Sequence, residues 1–164
     1  QIKAIHCQSF LNLNALLLTQ PFDVVLCIDA AYHSDLNLFL NSVVPILNSK
    51  GRLGFHTLML SDTVLNSKQK MKYKWLLKAA DVDLKSLMTT NQINHALQQH
   101  GLEQIVIEDL STAVLAGFSQ YIATRAKTER GGLDQIKIQM TAKLCQRLFE
   151  EEIVRYIQLS AVKT

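Results

Sequence analysis

The sequence predicts an α/β domain built on a mostly parallel sheet. Apolar runs of strand length alternate with segments of helical periodicity. The run at 24–28 is apolar at successive positions, the pattern of a parallel strand covered on both faces. Two helical patterns in succession precede the last apolar run, so that final strand need not be parallel to the others.

Taken in order, residues 2–6 read as a short strand and 11–18 as a helical or irregular connection closed by Pro21. The chain starts at Gln1, directly inside that first strand, and a missing upstream portion is expected. Residues 23–28 form the next strand. Ser34 is placed to cap the following helix, with Asp35 in its first turn. Leu36, Phe39, Leu40, Val43 and Leu47 follow at helical spacing, and Pro45 should shorten the last turn. Asn48, Ser49, Lys50 and Gly51 read as a turn before a strand at 52–60. Thr89 and Gln92 have capping-box spacing and open a helix with Ile93, Ala96 and Leu97 inward, closed by His100 and Gly101. A strand at 102–109 comes next, then a helix capped by Ser111 that carries Val114, Leu115, Phe118 and Ile122. Gly131 and Gly132 break the chain. Ile136, Met140, Leu144 and Leu148 form a stripe on a further helix, and 154–162 is the last strand.

Composition narrows the function classes. With 48% hydrophobic and 19% charged residues over 164 positions, the chain is globular and long enough to bury one core. A net charge of +3 with no concentrated basic stripe argues against nucleic acid as the main partner. Cys7, Cys27 and Cys145 are scattered without a C-x-x-C pair, so neither a zinc site nor a disulfide framework is read, and no metal is expected. Reduced thiols suit a cytosol-like compartment, and a cytoplasmic location is expected. No apolar run approaches the roughly 20 residues needed to span a bilayer.

The segment "FDVVLCIDAAYH", the helix containing "FLNSVVPIL" and the turn-strand "NSKGRLGFHTL" occur in an order that resembles the later motifs of class I S-adenosylmethionine-dependent methyltransferases. "TTNQINHALQQHGLEQIVIEDLS" and "RYIQLSAVK" are similar to that family's subsequent helix-strand and last strand. The resemblance implies a Rossmann-like three-layer sandwich, truncated on its N-terminal side. Strands at 23–28, 53–58 and 105–108 would be parallel, and 156–161 would lie antiparallel between the latter two. The family's glycine-rich first turn is absent, and no G-x-G occurs in the sequence. So is the acidic residue that ends the family's second strand. The chain then reads as an incomplete portion of a catalytic domain, or as a remnant that serves as a scaffold or interaction module. A missing N-terminal portion or a partner chain would complete the site. A nicotinamide-dependent protein fits less well than a methyltransferase.

The implied cofactor is S-adenosyl-L-methionine, and the implied partner is a small-molecule acceptor. Cys27, Ile28, Asp29 and Ala30 would face the cofactor, because ligands in α/β sheets bind beyond the carboxyl ends of the strands and small residues permit close approach. Asp29 has a second reading, as a polar strand end capping the next helix. Gln8 and Ser9 would approach the adenine ring, or form a plain strand-to-helix turn. His33 is the candidate general base: a hydroxyl acceptor must lose its proton, and an imidazole suits that task. Its other reading is a ring that packs on Tyr32 or caps the helix. Tyr32 and His56 are candidate acceptor-binding residues, His56 also reading as a core histidine. The segment 61–88 is a possible lid. Its basic stretch 68–78 reads as a solvated helix with a buried face, or as a cover that suits an acidic or phosphate-bearing acceptor.

Overall fold

The computed structural model describes residues 9–13, 20–78, 80–125 and 133–164. The expected strand at 2–6, Gln8, Cys7, most of the 11–18 connection and the Gly131–Gly132 break lie outside the described residues.

Four strands form one sheet: β1 (Phe22–Cys27), β2 (Leu47–Leu60), β3 (Leu102–Asp109) and β4 (Val154–Lys163), in the order β1-β2-β4-β3. β1 and β2 are parallel, and β4 runs antiparallel to both β2 and β3. The last strand therefore sits reversed between two mutually parallel strands, as the sequence predicts. The double helix before it, α4 (Gly117–Arg125) and α5 (Leu133–Glu151), returns the chain to the carboxyl end of the sheet, from which only a reversed strand can enter.

Alternation in β2 and β4 divides the core. Leu53, Phe55, Ile157 and Leu159 point to one face and pack under α1 (Leu36–Val43) and α3 (Thr90–Gln99) with Phe39, Leu40, Ile93 and Leu97. Leu58 and Tyr156 point to the other face. There they meet Tyr73 and Leu77 of α2 (Ser67–Lys78), Leu115 before α4, and Leu148 of α5. This second core covers only the end of the sheet where β1 and β2 terminate.

Several local expectations are revised. β2 begins at Leu47 rather than at Arg52, because Leu47 already pairs with Phe22; residues 48–51 bulge out within the strand, with Lys50 at φ 63°. Asp35, not Ser34, is the N-cap of α1: its Oδ1 accepts from the amides of Asn37 (2.8 Å) and Leu38 (3.2 Å). Ser34 instead closes a 3-10 turn at Ala31–His33 by donating to the Ala31 carbonyl at 3.1 Å. Ser111 does not cap with its side chain; a π-helical turn, Thr112–Ala116, leads into α4. β1 is covered on one face only, where Val25 and Cys27 meet the first core. Val24, Leu26 and Ile28 are exposed, since β1 is the outer strand of the described sheet and no described element lies over that side.

Other features follow the sequence closely. Pro45 ends α1 and imposes a 3-10 turn, Val44–Ile46. Thr89 and Gln92 form the capping box of α3. His100 closes that helix with Nδ1 bonded to the Ala96 carbonyl at 2.8 Å, and Gly101 takes the φ of 70° that the exit requires.

Candidate functional site

β1 ends at Cys27, and the chain turns sharply through Asp29, whose φ is 55°. Aspartate tolerates this left-handed conformation better than most side chains. The turn lifts its carboxylate over the carboxyl edge of the sheet, 60% exposed. Behind it the backbone passes through Ala30 and buried Ala31. Burial pushes the Cys27 thiol up from its ordinary range, against the lowering effect of the Ala31 and Ala30 backbone groups.

Tyr156 organises the site. Its phenol donates to Asp29 Oδ1 and lies 2.9 Å from His56 Nδ1. His56 Nδ1 is itself 3.7 Å from Asp29 Oδ1. Tyr156 is held from behind, its backbone amide donating to Ser111 Oγ at 2.9 Å. Ser111, only 2% exposed, thus spends its hydroxyl on positioning β4, which explains why it does not cap the following helix.

The polar row continues across the sheet. His56 on β2 stands opposite Gln158 on β4, which stands opposite Glu108 on β3. His56 Nε2 is 3.1 Å from Gln158 Oε1, and Gln158 Nε2 donates to Glu108 Oε2 at 2.8 Å. The carboxylate accepts only, so it fixes the glutamine with its oxygen toward the histidine; the histidine must then carry its proton on Nε2. Nδ1 is left facing the Tyr156 phenol, which has one proton for two neighbours. With imidazolium, Nδ1–H donates to the phenol oxygen while the phenol donates to Asp29. With neutral imidazole, the two acceptors compete for the phenolic proton. The row lies where the second core stops: Leu58 and Tyr156 are buried, and Leu26 and Ser160 are exposed beyond it.

His33 is not part of this row. It is exposed, with Nδ1 3.2 Å from the Asp81 carbonyl oxygen and its ring 4.5 Å from that of Tyr32. Tyr32 in turn lies 6.5 Å from the Tyr156 ring, edge on, and joins the two histidines through aromatic contacts. Burial raises the Tyr32 pKa, and the nearby Asp29 carboxylate and Cys145 thiol raise it further, which keeps the phenol neutral. His33 also lines an open cleft of about 610 Å³ whose other walls include Asp35, Lys74, Lys78, Asp81 and Lys85. Asp35 and Asp83 spend an oxygen on backbone amides, whereas Lys74, Lys78 and Lys85 hold no ion pair among the described residues.

The structure thus gathers Cys27, Asp29, Ala30, Tyr32 and His56 at one sheet edge and sets His33 beside them. Ile28, just beyond β1, turns an exposed side chain outward. Ser9 stands apart: it caps the Phe10–Asn12 turn, which rests on α1 through a 2.7 Å bond from Ser42 Oγ to the Phe10 carbonyl. Asp29 does not cap α1. Sequence reasoning missed Tyr156, Gln158 and Glu108. Polar Tyr156, Gln158 and Ser160 alternating with Ile157, Leu159 and Ala161 was the available signal.

The fold is a Rossmann-like α/β sandwich in which three of the four described strands run one way and the last is reversed. Among solved structures, the chain is similar to a putative sarcosine dimethylglycine methyltransferase from Galdieria sulphuraria (TM-score 0.75, 13% identity, covering 96% of this chain and 58% of that one). It is also similar to phosphoethanolamine N-methyltransferase 2 of Haemonchus contortus, solved with phosphomonomethylethanolamine and S-adenosylhomocysteine (TM-score 0.68, 15% identity, 87% of this chain and 33% of that one). The [4+2]-cyclase SpnF matches at TM-score 0.62 and 16% identity, over 96% of this chain and 54% of that one. The chain spans between a third and three-fifths of the length of these structures. No protein-family profile and no curated protein matches the sequence.

Proposed function

We propose that this chain supplies the acceptor side and one wall of the cofactor site of an S-adenosylmethionine-dependent methyltransferase acting on a small molecule. The observation that carries this reading is Asp29. A carboxylate held in a left-handed turn beyond the carboxyl end of a parallel strand, with alanines behind it, stands where ligands of such sheets bind. Solved neighbours of the same fold hold S-adenosylmethionine or S-adenosylhomocysteine. When bound, the cofactor supplies an electrophilic methyl group. The residues of this chain orient and deprotonate. Asp29 and the Cys27-to-Ala31 backbone present acceptors and amides to the cofactor, Tyr32 walls the pocket, and the cleft beside His33 receives the acceptor. The His33 imidazole, with Nδ1 engaged by the Asp81 carbonyl, offers Nε2 as the base for a hydroxyl or ammonium proton. α2 forms one wall of that cleft and acts as its cover.

No glycine-rich turn is present in these residues, so the cofactor's amino-acid end has no cradle here. The same feature favours a second reading, a methyltransferase-like chain that has lost transfer. Amide chemical-shift mapping with S-adenosylhomocysteine tests both. The first reading expects weak binding, roughly millimolar or about 4 kcal/mol, with shifts concentrated at Cys27, Asp29, Ala30, Ala31 and His56. An unperturbed spectrum at saturating ligand sinks the cofactor assignment and leaves the scaffold.

A further inference from the structure

The outward face of α2 carries a ridge, Met71 and Trp75, that lies off the proposed acceptor cleft. The helix sequence, SKQKMKYKWLLK, has lysines at 68, 70, 72, 74 and 78 and no acidic residue. Its inward face is fixed. Tyr73 and Leu77 are fully buried, and Lys72 reaches Glu151 on α5 at 2.6 Å. The opposite face is a ridge in which Met71 and Trp75, one turn apart, are 62% and 70% exposed. At helical spacing Lys68, Lys74 and Lys78 flank that ridge. None of the three holds an ion pair among the described residues.

We infer that this ridge docks the protein onto an anionic phospholipid surface. The charge is complementary and local: a chain of net charge +3 places five lysines on one twelve-residue helix, four of them outside the Lys72–Glu151 pair. An indole has an apolar body and a polar N–H, which suits the headgroup boundary of a bilayer. Lysine stems lie along apolar surface while their ammonium groups reach the phosphates. The ridge is convex, so it suits a deformable headgroup layer. A nucleic acid would call for a basic groove that tracks its backbone. The inward face holds α2 on the second core, so docking needs no unfolding.

Trp75 is the only tryptophan in the chain, which makes the test direct. The full chain is titrated with phosphatidylcholine vesicles, with and without phosphatidylserine, while indole emission is followed. The expected result is a blue shift on the anionic vesicles only, and quenching by brominated acyl chains. Binding should be at least about tenfold tighter than to neutral vesicles and weaken as salt screens the lysines. Lys68→Gln with Lys70→Gln, both exposed and off the cleft, should lower affinity several-fold. Trp75→Ala, followed by vesicle co-sedimentation, should lower it by about tenfold or more with an unchanged circular dichroism spectrum. The inference is overturned by equal binding to both vesicle types, by binding without an emission shift, or by wild-type affinity in Trp75→Ala. It is equally overturned if polyglutamate or RNA produces the blue shift and anionic vesicles do not.

Discussion

Replacing Glu151 with glutamine removes the charge that ties α2 to α5. Glu151 accepts from Lys72 at 2.6 Å, from Arg147 Nε at 2.9 Å and from the buried phenol of Tyr73. Partial burial pushes this carboxyl up, but the bonds from Lys72, Tyr73 and Arg147 outweigh it and bring the pKa from 4.5 down to about 2. Tyr73 is raised in turn, by burial first and then by the carboxylate. If the cluster were shielded from water, the depression would correspond to about 3 kcal/mol. Lys72 and Arg147 are 38% and 50% exposed, and screening reduces this to about 1–2 kcal/mol. The glutamine oxygen still accepts from Tyr73, so the change isolates the charge. Because the folded pKa is depressed, the wild-type advantage is complete above pH 4.5 and is lost as pH falls toward 2. Urea unfolding at pH 7 should show Glu151→Gln less stable by that amount, equivalent to a fall in Tm of about 2–8 °C for a domain of this size. The curves should converge near pH 2. A difference below about 0.5 kcal/mol at pH 7, or one that persists unchanged into acid, refutes the reasoning. Since α2 also carries Lys74 and Lys78, the same variant should loosen the cleft beside His33.

Other substitutions probe the site and its scaffold. Tyr156→Phe removes the phenol between Asp29 and His56 and should cost about 1 kcal/mol in chemical denaturation, the worth of a partly exposed hydrogen bond. In a full-length version that methylates a hydroxyl, His33→Ala should lower turnover by about 10²- to 10⁴-fold while cofactor affinity stays constant; unchanged turnover makes His33 structural. Gly51→Ala places a Cβ 2.8 Å from the Asn48 carbonyl oxygen and should cost about 1–3 kcal/mol by thermal melting. Gly54→Ala meets only the end of the exposed Leu26 side chain at 2.9 Å and should be nearly neutral, so the two alanine variants form a matched control.

Much of the fold was legible because the signals are local. The capping box at Thr89, the proline stop at Pro45 and the helical spacing of Phe39, Leu40 and Val43 each act within one or two turns. The polar cluster at the sheet edge was legible in part. Asp29 and Tyr32 announce themselves by interrupting an apolar run, and His56 by its place late in a strand. Their partners did not. Tyr156 lies 127 positions from Asp29, and Glu108 reaches His56 only through Gln158.

Among the described residues, the sequence by itself determined the approximate place of each main strand and helix, and that an acidic residue would stand just beyond β1. Propensity, capping and periodicity depend on near neighbours. Strand register and burial were decided by tertiary structure. Only the reversed insertion of β4 between β2 and β3 brings Tyr156 over Asp29 and sets Gln158 between His56 and Glu108. That same packing turns Ser111 from an expected cap into the acceptor that holds Tyr156, because a buried hydroxyl takes the partner that the fold presents. It also leaves Val24 and Leu26 exposed despite their strand's apolar pattern, since what covers a face depends on the elements that reach it.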